Sequence, residues 1–354
     1  MKNKVSVIIT VFNGEKWIKS CFSSIYDQKF SPDFAVEIIV FDDASNDDTS
    51  KQVMGWKTKF MEKNIELIFI PSIFTEPKGV GYGRNIAVKN SNGNWLCFQD
   101  IDDIMMPNRI LNQLGAGVLL GESTIIGSKF IRNPKDSTHR FTKWANNLPP
   151  DKLSVQIYTS HGPTLIMPTW FMHRNVFDLV GGFAEDGKGT PEDLIFFYNH
   201  LNLGGQLFRI EEPLLEYTYH SEATSFSVKS ETIDNIRLKQ LIKSELNDVK
   251  KNYRDGFMIW NAGRQGRKFY RSLPDKWQNR VVAFCDVDSK LIGTKFNHFE
   301  PNLRKNIRSI PIISYTNLKP PVIICMKLDL TNGEFEHNLN SMNLVEGQDY
   351  ILFS

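Results

Sequence analysis

Carboxylate side chains are concentrated in short polar segments, and one of these segments directly follows an apolar run. Asp100-Ile101-Asp102-Asp103 comes after Trp95–Phe98. Alternating carboxylates at the end of a strand can share one divalent cation, and Mg²⁺ and Mn²⁺ complete their coordination with phosphate oxygens of a ligand. A solvated acidic turn that caps the next helix gives the same pattern, so the motif alone leaves both interpretations open.

A second acidic pair, Asp42-Asp43, follows the apolar run Val36–Phe41. An acidic residue at this position accepts hydrogen bonds from a ribose or from the edge of a base. Helix capping is the alternative, because Asp and the nearby Ser45 both cap helices well.

A glycine-rich segment, Gly79 to Gly83, precedes Arg84-Asn85. A helix that begins here can direct its N-terminus toward an anion, and the Arg84 guanidinium can hold a phosphate group. An ordinary glycine-rich turn has the same composition, and this alternative stays open.

Glu192-Asp193 precedes an apolar helix that continues to Tyr198. A carboxylate at the start of a helix can be a general base held rigidly at a cleft, or only a cap. His220 is a candidate metal ligand beside Asp102 and Asp103, although an isolated histidine is more often packed or solvated.

Alternating strands and helices position these groups. Strands are predicted at 5–12, 36–41, 65–70 and 95–98, with helices after residue 14, from about residue 47 and at 83–90. This alternation predicts a parallel sheet covered on both faces, in which ligands bind beyond the carboxyl ends of the strands. The polar clusters at Asn13, Asp42 and Asp100 are all expected at that edge.

The strand–helix pattern restarts after a polar helix that is predicted at 231–252. Asn261-Ala-Gly-Arg-Gln-Gly266 follows a strand, and Asp286 ends the next one, which is a loose form of the dinucleotide-binding fingerprint. Because Asn261 replaces the first glycine, a Rossmann-like domain without a cofactor is favoured. We predict an α/β domain at 1–230, a helical linker at 231–252 and a smaller Rossmann-like α/β domain at 253–354.

Positive charge is concentrated in the second half of the chain. Residues 251–308 hold 13 Lys and Arg against five Asp and Glu, a net charge of +8, whereas the rest of the chain carries −6. Such segregation is typical of a polyanion-binding surface, with a solvated helix face as the alternative. The candidate contacts are grouped after Gly263 and are Arg264, Arg267, Lys268 and Arg271.

Length and composition exclude several classes of protein. A chain of 354 residues with 41% hydrophobic and 23% charged residues is neither disordered nor fibrous, and its net charge of +2 excludes a globally polybasic binder. The apolar run Val5–Phe12 is too short to span a membrane and lacks the features of a secretory signal, so we expect a soluble protein. Four scattered cysteines without a CxxC pair favour buried thiols in the cytoplasm.

Taken together and in this order, the motifs resemble family-2 glycosyltransferases of the GT-A fold. The resemblance covers residues 4 to about 226, with a mostly parallel, Rossmann-like sheet implied. It rests on the opening strand, the DDAS and DIDD segments, and three further elements; these are Thr10–Asn13, Asp42–Ser45, Arg84-Asn85, Asp100–Asp103, Gly181–Phe183 and Glu192-Asp193.

Further segments resemble a narrower family, the β-1,3-N-acetylglucosaminyltransferase-like proteins that are also described as queuosine-tRNA galactosyltransferases. This resemblance extends to Phe353-Ser354 and so includes the second domain. The matching segments are Gly79–Tyr82, Met105–Pro107, Pro163–Phe171, Trp260–Gly263, Val281–Asp288 and Lys327–Leu330.

The resemblance implies an inverting, metal-dependent transferase that moves galactose from UDP-galactose onto queuosine in a tRNA anticodon. Asp43 would bind the uracil, Asp42 the nucleoside, with Thr10 and Asn13 lining the same pocket. Arg84 would lie near the diphosphate. Mn²⁺ or Mg²⁺ would be held by Asp102 with Asp100 or Asp103, and Asp193 would be the base, with Glu192 beside it. No obligate protein partner is implied.

Three other functions remain open from the sequence. A UDP-N-acetylglucosamine transferase acting on a glycan acceptor shares the donor motifs, and a dinucleotide-binding redox or sensor protein would use the turn around Gly263 and Gly266. The third is a non-catalytic RNA-binding module. One departure from the family pattern is Ala44, which occupies the usual glycine position of the DDGS segment.

Overall fold

The chain folds into two compact units. The computed structural model describes residues 3–300 and 304–354. The first unit extends to Ser154 and continues over Gly162–Ile233, while Val155–His161 belongs with Asp234–Ser354 in the second. Each unit is described by itself below.

An eight-stranded mixed sheet forms the centre of the first unit. Its strands pair in the order β3-β2-β1-β4-β7-β6-β8-β5. The first four of these are mutually parallel, whereas β7 runs antiparallel to both β4 and β6, and β5 is antiparallel to β8. The strands are β1 (Asn3–Val11), β2 (Phe34–Asp42), β3 (Glu66–Pro71), β4 (Trp95–Phe98), β5 (Ile104–Met105), β6 (Thr124–Asn133), β7 (Phe171–His173) and β8 (Gln206–Thr218).

Eight α-helices lie wholly within the described residues of this unit: α1 (Glu15–Tyr26), α2 (Thr49–Gly55), α3 (Lys57–Glu62), α4 (Val80–Lys89), α5 (Arg109–Leu120), α6 (His139–Asn147), α7 (Arg174–Val180) and α8 (Glu192–Asn202). Three short 3-10 helices are also present, at Pro150–Lys152, Met167–Thr169 and Thr224–Ser227. The predicted helix after residue 14 is α1, and its apolar face is buried: Ile18, Cys21 and Phe22 have no exposed surface. Within the described ranges 3–300 and 304–354, no helix is long and apolar enough to cross a membrane.

The strands of the first half are buried on both faces, as their near-continuous apolar runs predict. Val7 and Ile38 on one face, and Ile8 and Ile39 on the other, are at most 1% exposed. Burying a side chain of this size typically contributes about 1.5–3 kcal/mol, so this half of the sheet is a rigid support for the loops at its carboxyl edge.

The second unit contains a six-stranded sheet in the order β11-β12-β10-β9-β13-β14. Only β11 is antiparallel to its neighbour among the described strand pairs. The strands of the second unit are β9 (Phe257–Trp260), β10 (Val281–Asp286), β11 (Lys295–Glu300), β12 (Lys305–Ser314), β13 (Val322–Ile324) and β14 (Tyr350–Leu352). Its α-helices are α9 (Ser230–Leu241), which begins in the first unit, α10 (Arg264–Ser272), α11 (Asp275–Gln278) and α12 (Glu334–Ser341).

The helix predicted at 231–252 is shorter than expected. It ends at Leu241 and is followed by a π-helical turn, Ile242–Leu246. The Asp248 carboxylate then accepts a hydrogen bond from the Lys250 amide at 2.9 Å, a local side-chain turn that competes with helix continuation.

The interpretation of the four cysteines as buried thiols is confirmed. Cys21, Cys97, Cys285 and Cys325 are all buried and free. Burial raises the pKa of each thiol, that of Cys285 to about 12, so the side chains are protonated and behave as small apolar groups.

Candidate active site

The loops after β1 and β2 are tied together at the carboxyl edge of the first sheet. The Asn13 amide donates to the Ser45 hydroxyl at 2.8 Å, and the Asn13 side-chain oxygen accepts from the Asn46 amide at 2.9 Å. Asn13 adopts φ 51°, a conformation that asparagine tolerates better than most residues. The predicted nucleotide-binding residues Asn13 and Asp42 therefore lie on adjoining, mutually braced loops.

Both acids of the Asp42-Asp43 pair accept backbone hydrogen bonds. Asp42 accepts from the Ser45 amide at 3.0 Å, and the two Asp43 oxygens accept from the amides of Lys78 and Gly79 at 2.8 and 2.7 Å. Asp43 thus fixes the segment that leads into α4. Each carboxylate oxygen has a further lone pair that can accept a hydrogen bond from a ligand. The contacts with a nucleoside remain predictions.

The glycines of the Gly79–Gly83 segment serve close packing. A Cβ atom at Gly81 would lie 2.1 Å from the Ala184 carbonyl oxygen, and one at Gly83 would lie 2.6 Å from the Thr10 methyl group. Side chains here would push α4 away from the sheet. The helix begins at Val80, earlier than predicted, and its close approach carries Arg84 to the strand ends.

Arg84 is 5% exposed and bridges two carboxylates. Its guanidinium donates to Asp100 at 2.9 Å and to Glu192 at 2.6 Å. Burial alone would lower the pKa of Arg84. The charges of Asp100 and Glu192 outweigh this effect, so the pKa lies above its usual value. This arginine positions the acidic turn after β4 relative to the start of α8, and its predicted contact with a diphosphate stays a prediction.

The next residue, Asn85, fixes the loop that precedes α8. Its side chain accepts from the Phe183 amide at 2.8 Å and donates to the Phe183 carbonyl at 2.9 Å and the Glu185 carboxylate at 2.7 Å. The Arg84-Asn85 pair therefore orders both the carboxylates and the loop from Gly182 to Glu185.

Three carboxylates meet in the acidic turn after β4. Oxygens of Asp100, Asp102 and Asp103 lie within 4.8 Å of one another. Asp103 is fully buried and accepts from the Thr218 amide at 2.8 Å, and Asp102 lies 2.7 Å from the His220 ring nitrogen Nε2. Burial, followed by repulsion from the other carboxylates, raises the pKa of Asp102 and, more strongly, of Asp103.

This arrangement fits a divalent cation. Asp103 Oδ2 and His220 Nδ1 are buried and have no hydrogen-bond partner. An uncompensated buried carboxylate oxygen among other acids is costly, and a cation would offset that cost. The predicted metal ligands are thus brought together, with the His220 ring 5.0 Å from that of Trp17.

A buried polar network under the acidic turn was missed by sequence analysis. Gln99 donates to the carbonyls of Asp100 and Asp103 at 2.8 and 2.9 Å. Arg109, fully buried, donates to the Gln99 side chain and to the carbonyls of Phe98 and Pro168, each at 2.7 Å. The only available signal was a set of polar residues in otherwise apolar segments.

Asp193 lies at the start of α8, next to the Glu192 that Arg84 holds. One of its oxygens accepts from the Leu194 amide at 2.7 Å. Burial, reinforced by the Glu192 charge, raises the pKa of Asp193 to about 7. A carboxyl with this pKa is well suited to accept a proton near neutrality.

In the second unit, the turn after β9 is internally satisfied. The Asp286 carboxylate accepts from the amides of Ala262, Val287 and Asp288 at 2.7, 2.8 and 3.0 Å. A Cβ at Gly266 would lie 1.8 Å from the Asn261 carbonyl oxygen, so this glycine permits close packing. The aspartate that would bind a ribose is therefore already used to shape the turn.

The four basic residues predicted to bind tRNA are on α10. Lys268 pairs with Asp234 at 2.7 Å, and the Arg267 and Arg271 guanidinium carbons lie 5.4 and 5.6 Å from the Phe296 ring centre. Arg264 is exposed. The helix face is partly neutralised, and its role in tRNA binding stays a prediction.

Comparison with known proteins identifies the class of the first unit. Residues 6–181 match the model of the family described as Glycosyl transferase family 2. The chain therefore carries a family-2 glycosyltransferase domain of the GT-A fold, which confirms the fold class and the broader resemblance drawn from the motifs.

Two relatives with similar sequences come from bacteria of the genus Rickettsia. An uncharacterized glycosyltransferase of Rickettsia conorii is 27% identical over 241 residues, which cover 64% of this chain and 36% of the relative. One from Rickettsia bellii is 31% identical over 261 residues, covering 68% and 35%. The chain thus spans little more than a third of the length of these two relatives.

A solved structure shares the fold. Staphylococcus aureus TarS 1-349 in complex with UDP-GlcNAc has a TM-score of 0.53 at 18% identity, covering 78% of this chain and 79% of that one. TarS is the poly(ribitol-phosphate) beta-N-acetylglucosaminyltransferase of Staphylococcus aureus. Its sequence is 34% identical to this chain over 100 residues, which cover 28% of this chain and 16% of TarS.

Proposed function

We propose that this glycosyltransferase moves galactose from UDP-galactose onto queuosine in a tRNA anticodon, with inversion at the anomeric carbon. The observation that carries the catalytic part is the Arg84 bridge between Asp100 and Glu192, since Asp193 is the next residue after Glu192. It joins a candidate base to a candidate metal site. The choice of acceptor is supported by the motif resemblance, which extends through both units. A cytoplasmic enzyme is part of the same proposal.

On the donor side, Asp43 and Asp42 would accept hydrogen bonds from the uracil and the nucleoside, in a pocket that Thr10 and Asn13 line. Mn²⁺ or Mg²⁺ would be held by Asp102 together with Asp100 or Asp103, and His220 lies against Asp102. When bound, such a cation neutralises the charge that develops on UDP as it leaves. Asp100 and Asp102 are partly exposed and accessible to a donor, and the partnerless oxygen of the buried Asp103 would complete the set of ligands.

On the acceptor side, Asp193 takes the proton of the attacking hydroxyl. The hydroxyl oxygen forms a bond to the anomeric carbon, and the bond from that carbon to the phosphate oxygen breaks with its electron pair going to UDP. Attack from the face opposite to UDP inverts the configuration. The ion pair of Glu192 with Arg84 fixes the start of α8, where Asp193 is the next residue.

A second candidate is transfer of N-acetylglucosamine from UDP-N-acetylglucosamine to a glycan acceptor. It is favoured by one observation, the fold shared with TarS in complex with UDP-GlcNAc. The acidic turn and the base serve both donors equally, because sugar selectivity depends on pocket shape.

Release of UDP tests both candidates. The enzyme with Mn²⁺ is supplied with UDP-galactose or UDP-N-acetylglucosamine, and with tRNA that contains or lacks queuosine. We expect UDP release only with UDP-galactose and queuosine-containing tRNA. Equal release with queuosine-free tRNA, or release with UDP-N-acetylglucosamine alone, would contradict the proposal.

A further inference from the structure

Arg132, at the end of β6, is a partly buried cation that no described carboxylate pairs with directly. Its Nε atom is buried without a hydrogen-bond partner, and within residues 3–300 and 304–354 its attraction to Asp103 acts at longer range than an ion pair. Burial therefore lowers the pKa of Arg132. The interaction with the Tyr217 side chain offsets part of this cost, and a paired anion would offset more of it.

Aromatic rings hold this guanidinium in place. Its central carbon lies 3.9 Å from the centre of the Tyr217 ring, and 5.4, 5.9 and 6.0 Å from those of Phe130, Phe141 and Tyr219. Stacked rings contact the flat face of a guanidinium and leave its N–H edge available for a planar or tetrahedral anion.

The order of the strands separates Arg132 from the predicted nucleoside pocket. In the sheet, β6 lies in the half opposite to β1 and β2, which carry the predicted nucleoside contacts. Arg132 of β6 pairs with Tyr217 of the neighbouring strand β8, and the next residue of β8, Thr218, donates to Asp103. Arg132 is thus one strand away from a residue that contacts the acidic turn, in the half of the sheet opposite to β1 and β2.

The segment that follows β6 is basic and exposed. Between residues 132 and 143 there are four Lys and Arg and one acid. Lys135 lies in the turn after β6 and Lys143 on α6, both exposed. Asn146 fixes α6 to β6 through two hydrogen bonds with Phe130, at 3.1 and 2.8 Å. Positive charge therefore continues outward from Arg132 over a braced surface.

We propose that Arg132, with Lys135 and Lys143, binds backbone phosphates of the acceptor RNA and so holds the modified nucleoside at the cleft. The inference rests on the proposed function, since it needs a polyanionic acceptor. It locates an RNA contact in the catalytic unit itself, in addition to the basic face of α10.

Binding of queuosine-containing tRNA by Arg132→Gln, measured at a low and a near-physiological salt concentration, tests this. Loss of one phosphate contact should weaken binding about tenfold and reduce the salt slope by about one. Arg132→Lys keeps the charge and should retain the salt slope with a smaller loss of affinity. Lys57→Gln removes an exposed charge on α3 and is the matched control, with unchanged binding expected.

Two measurements separate the possible failures. The first is UDP affinity, which should be the same in the wild type and in Arg132→Gln. An equal loss of UDP affinity and tRNA affinity would place Arg132 in the donor site and overturn the inference. If the wild type galactosylates tRNA while Arg132→Gln binds it as Lys57→Gln does, the inference alone fails. If the wild type binds poly(ribitol phosphate) and not tRNA, both the proposed function and the RNA assignment fail.

Discussion

The acidic turn after β4 and the turn at the end of β10 use their aspartates in opposite ways. Asp286, at the end of β10, accepts three backbone hydrogen bonds and has become part of its own turn. In the acidic turn after β4, Asp103 keeps a buried oxygen with no partner, and two more carboxylates lie within 4.8 Å. Both regions match a nucleotide-binding pattern in sequence. The unsatisfied capacity to bind a cation distinguishes the candidate site from the structural turn.

The largest effect should come from the acidic turn. Asp102→Ala removes a ligand from the metal site, and we expect turnover to fall about a thousandfold, because charge on the leaving UDP is no longer neutralised. Burial raises the pKa of Asp102, so its charged form opposes folding at neutral pH, and the variant should remain folded. UDP release with Mn²⁺ measures the loss. Asp27→Ala, an exposed acid on the same unit, is the control, and equal turnover of the two variants would refute the metal site.

The base is the next test. Asp193→Asn keeps the size of the side chain but cannot accept a proton, and removal of a general base typically lowers the rate about 10²–10⁴-fold. Because the pKa of Asp193 is raised to about 7, wild-type activity should increase as the pH rises through 7 and level off above it. The variant should lack this rise.

Rates across pH, together with UDP affinity, check this prediction. UDP affinity should be unchanged, since the predicted donor contacts lie elsewhere. Asp186→Asn, in the exposed loop before α8, should behave as the wild type. Wild-type turnover by Asp193→Asn would mean that Glu192-Asp193 is only a helix cap.

In the second unit, removal of an aspartate should lower stability and leave activity unchanged. Asp286→Ala leaves three backbone amides without their acceptor, which should lower the stability of that unit by about 1–3 kcal/mol. Turnover measured well below the unfolding temperature should be unaffected. Chemical unfolding followed beside UDP release checks both expectations; loss of activity without loss of stability would give this turn a functional role.

The smallest effect concerns strain. Two residues other than glycine adopt positive φ in loops that follow strands. Ala44, after β2 in the first unit, has φ 68°, and Asn261, after β9 in the second, has φ 111°. Asn261 is held by its own side chain, which donates to the Cys325 carbonyl at 3.0 Å, whereas alanine has no such compensation. Ala44→Gly should therefore stabilise the fold, by less than about 1 kcal/mol, as shown by the midpoint of chemical unfolding. A destabilised Ala44→Gly variant would contradict the strain.

The sequence predicted the parallel half of the fold better than the rest. β4 was predicted with its observed bounds, Trp95–Phe98, and β2 to within two residues, because buried parallel strands are continuous apolar runs between polar turns. β8, with 13 residues, was missed: its polar edge residues and Pro213 obscure the alternation on which strand prediction depends.

The candidate site was predicted as a set of residues, but not as a set of contacts. The proximity of Asp100, Asp102 and Asp103 follows from their spacing. The bridge made by Arg84 does not, because Glu192 is 108 residues away and only the packing of α4 brings the two together. Arg109 and Gln99 were missed for the same reason, since their partners are backbone carbonyls that no sequence pattern reveals.

Titration of the protein with UDP by calorimetry, with Mn²⁺ and after its chelation, tests the central claim most directly. The account predicts that UDP binds with Mn²⁺, that chelation or Asp102→Ala weakens this binding, and that Asp286→Ala does not change it. NAD should not bind under any of these conditions. Metal-independent UDP binding that Asp102→Ala leaves intact, or binding of NAD that Asp286→Ala abolishes, would contradict the assignment of the site to the first sheet.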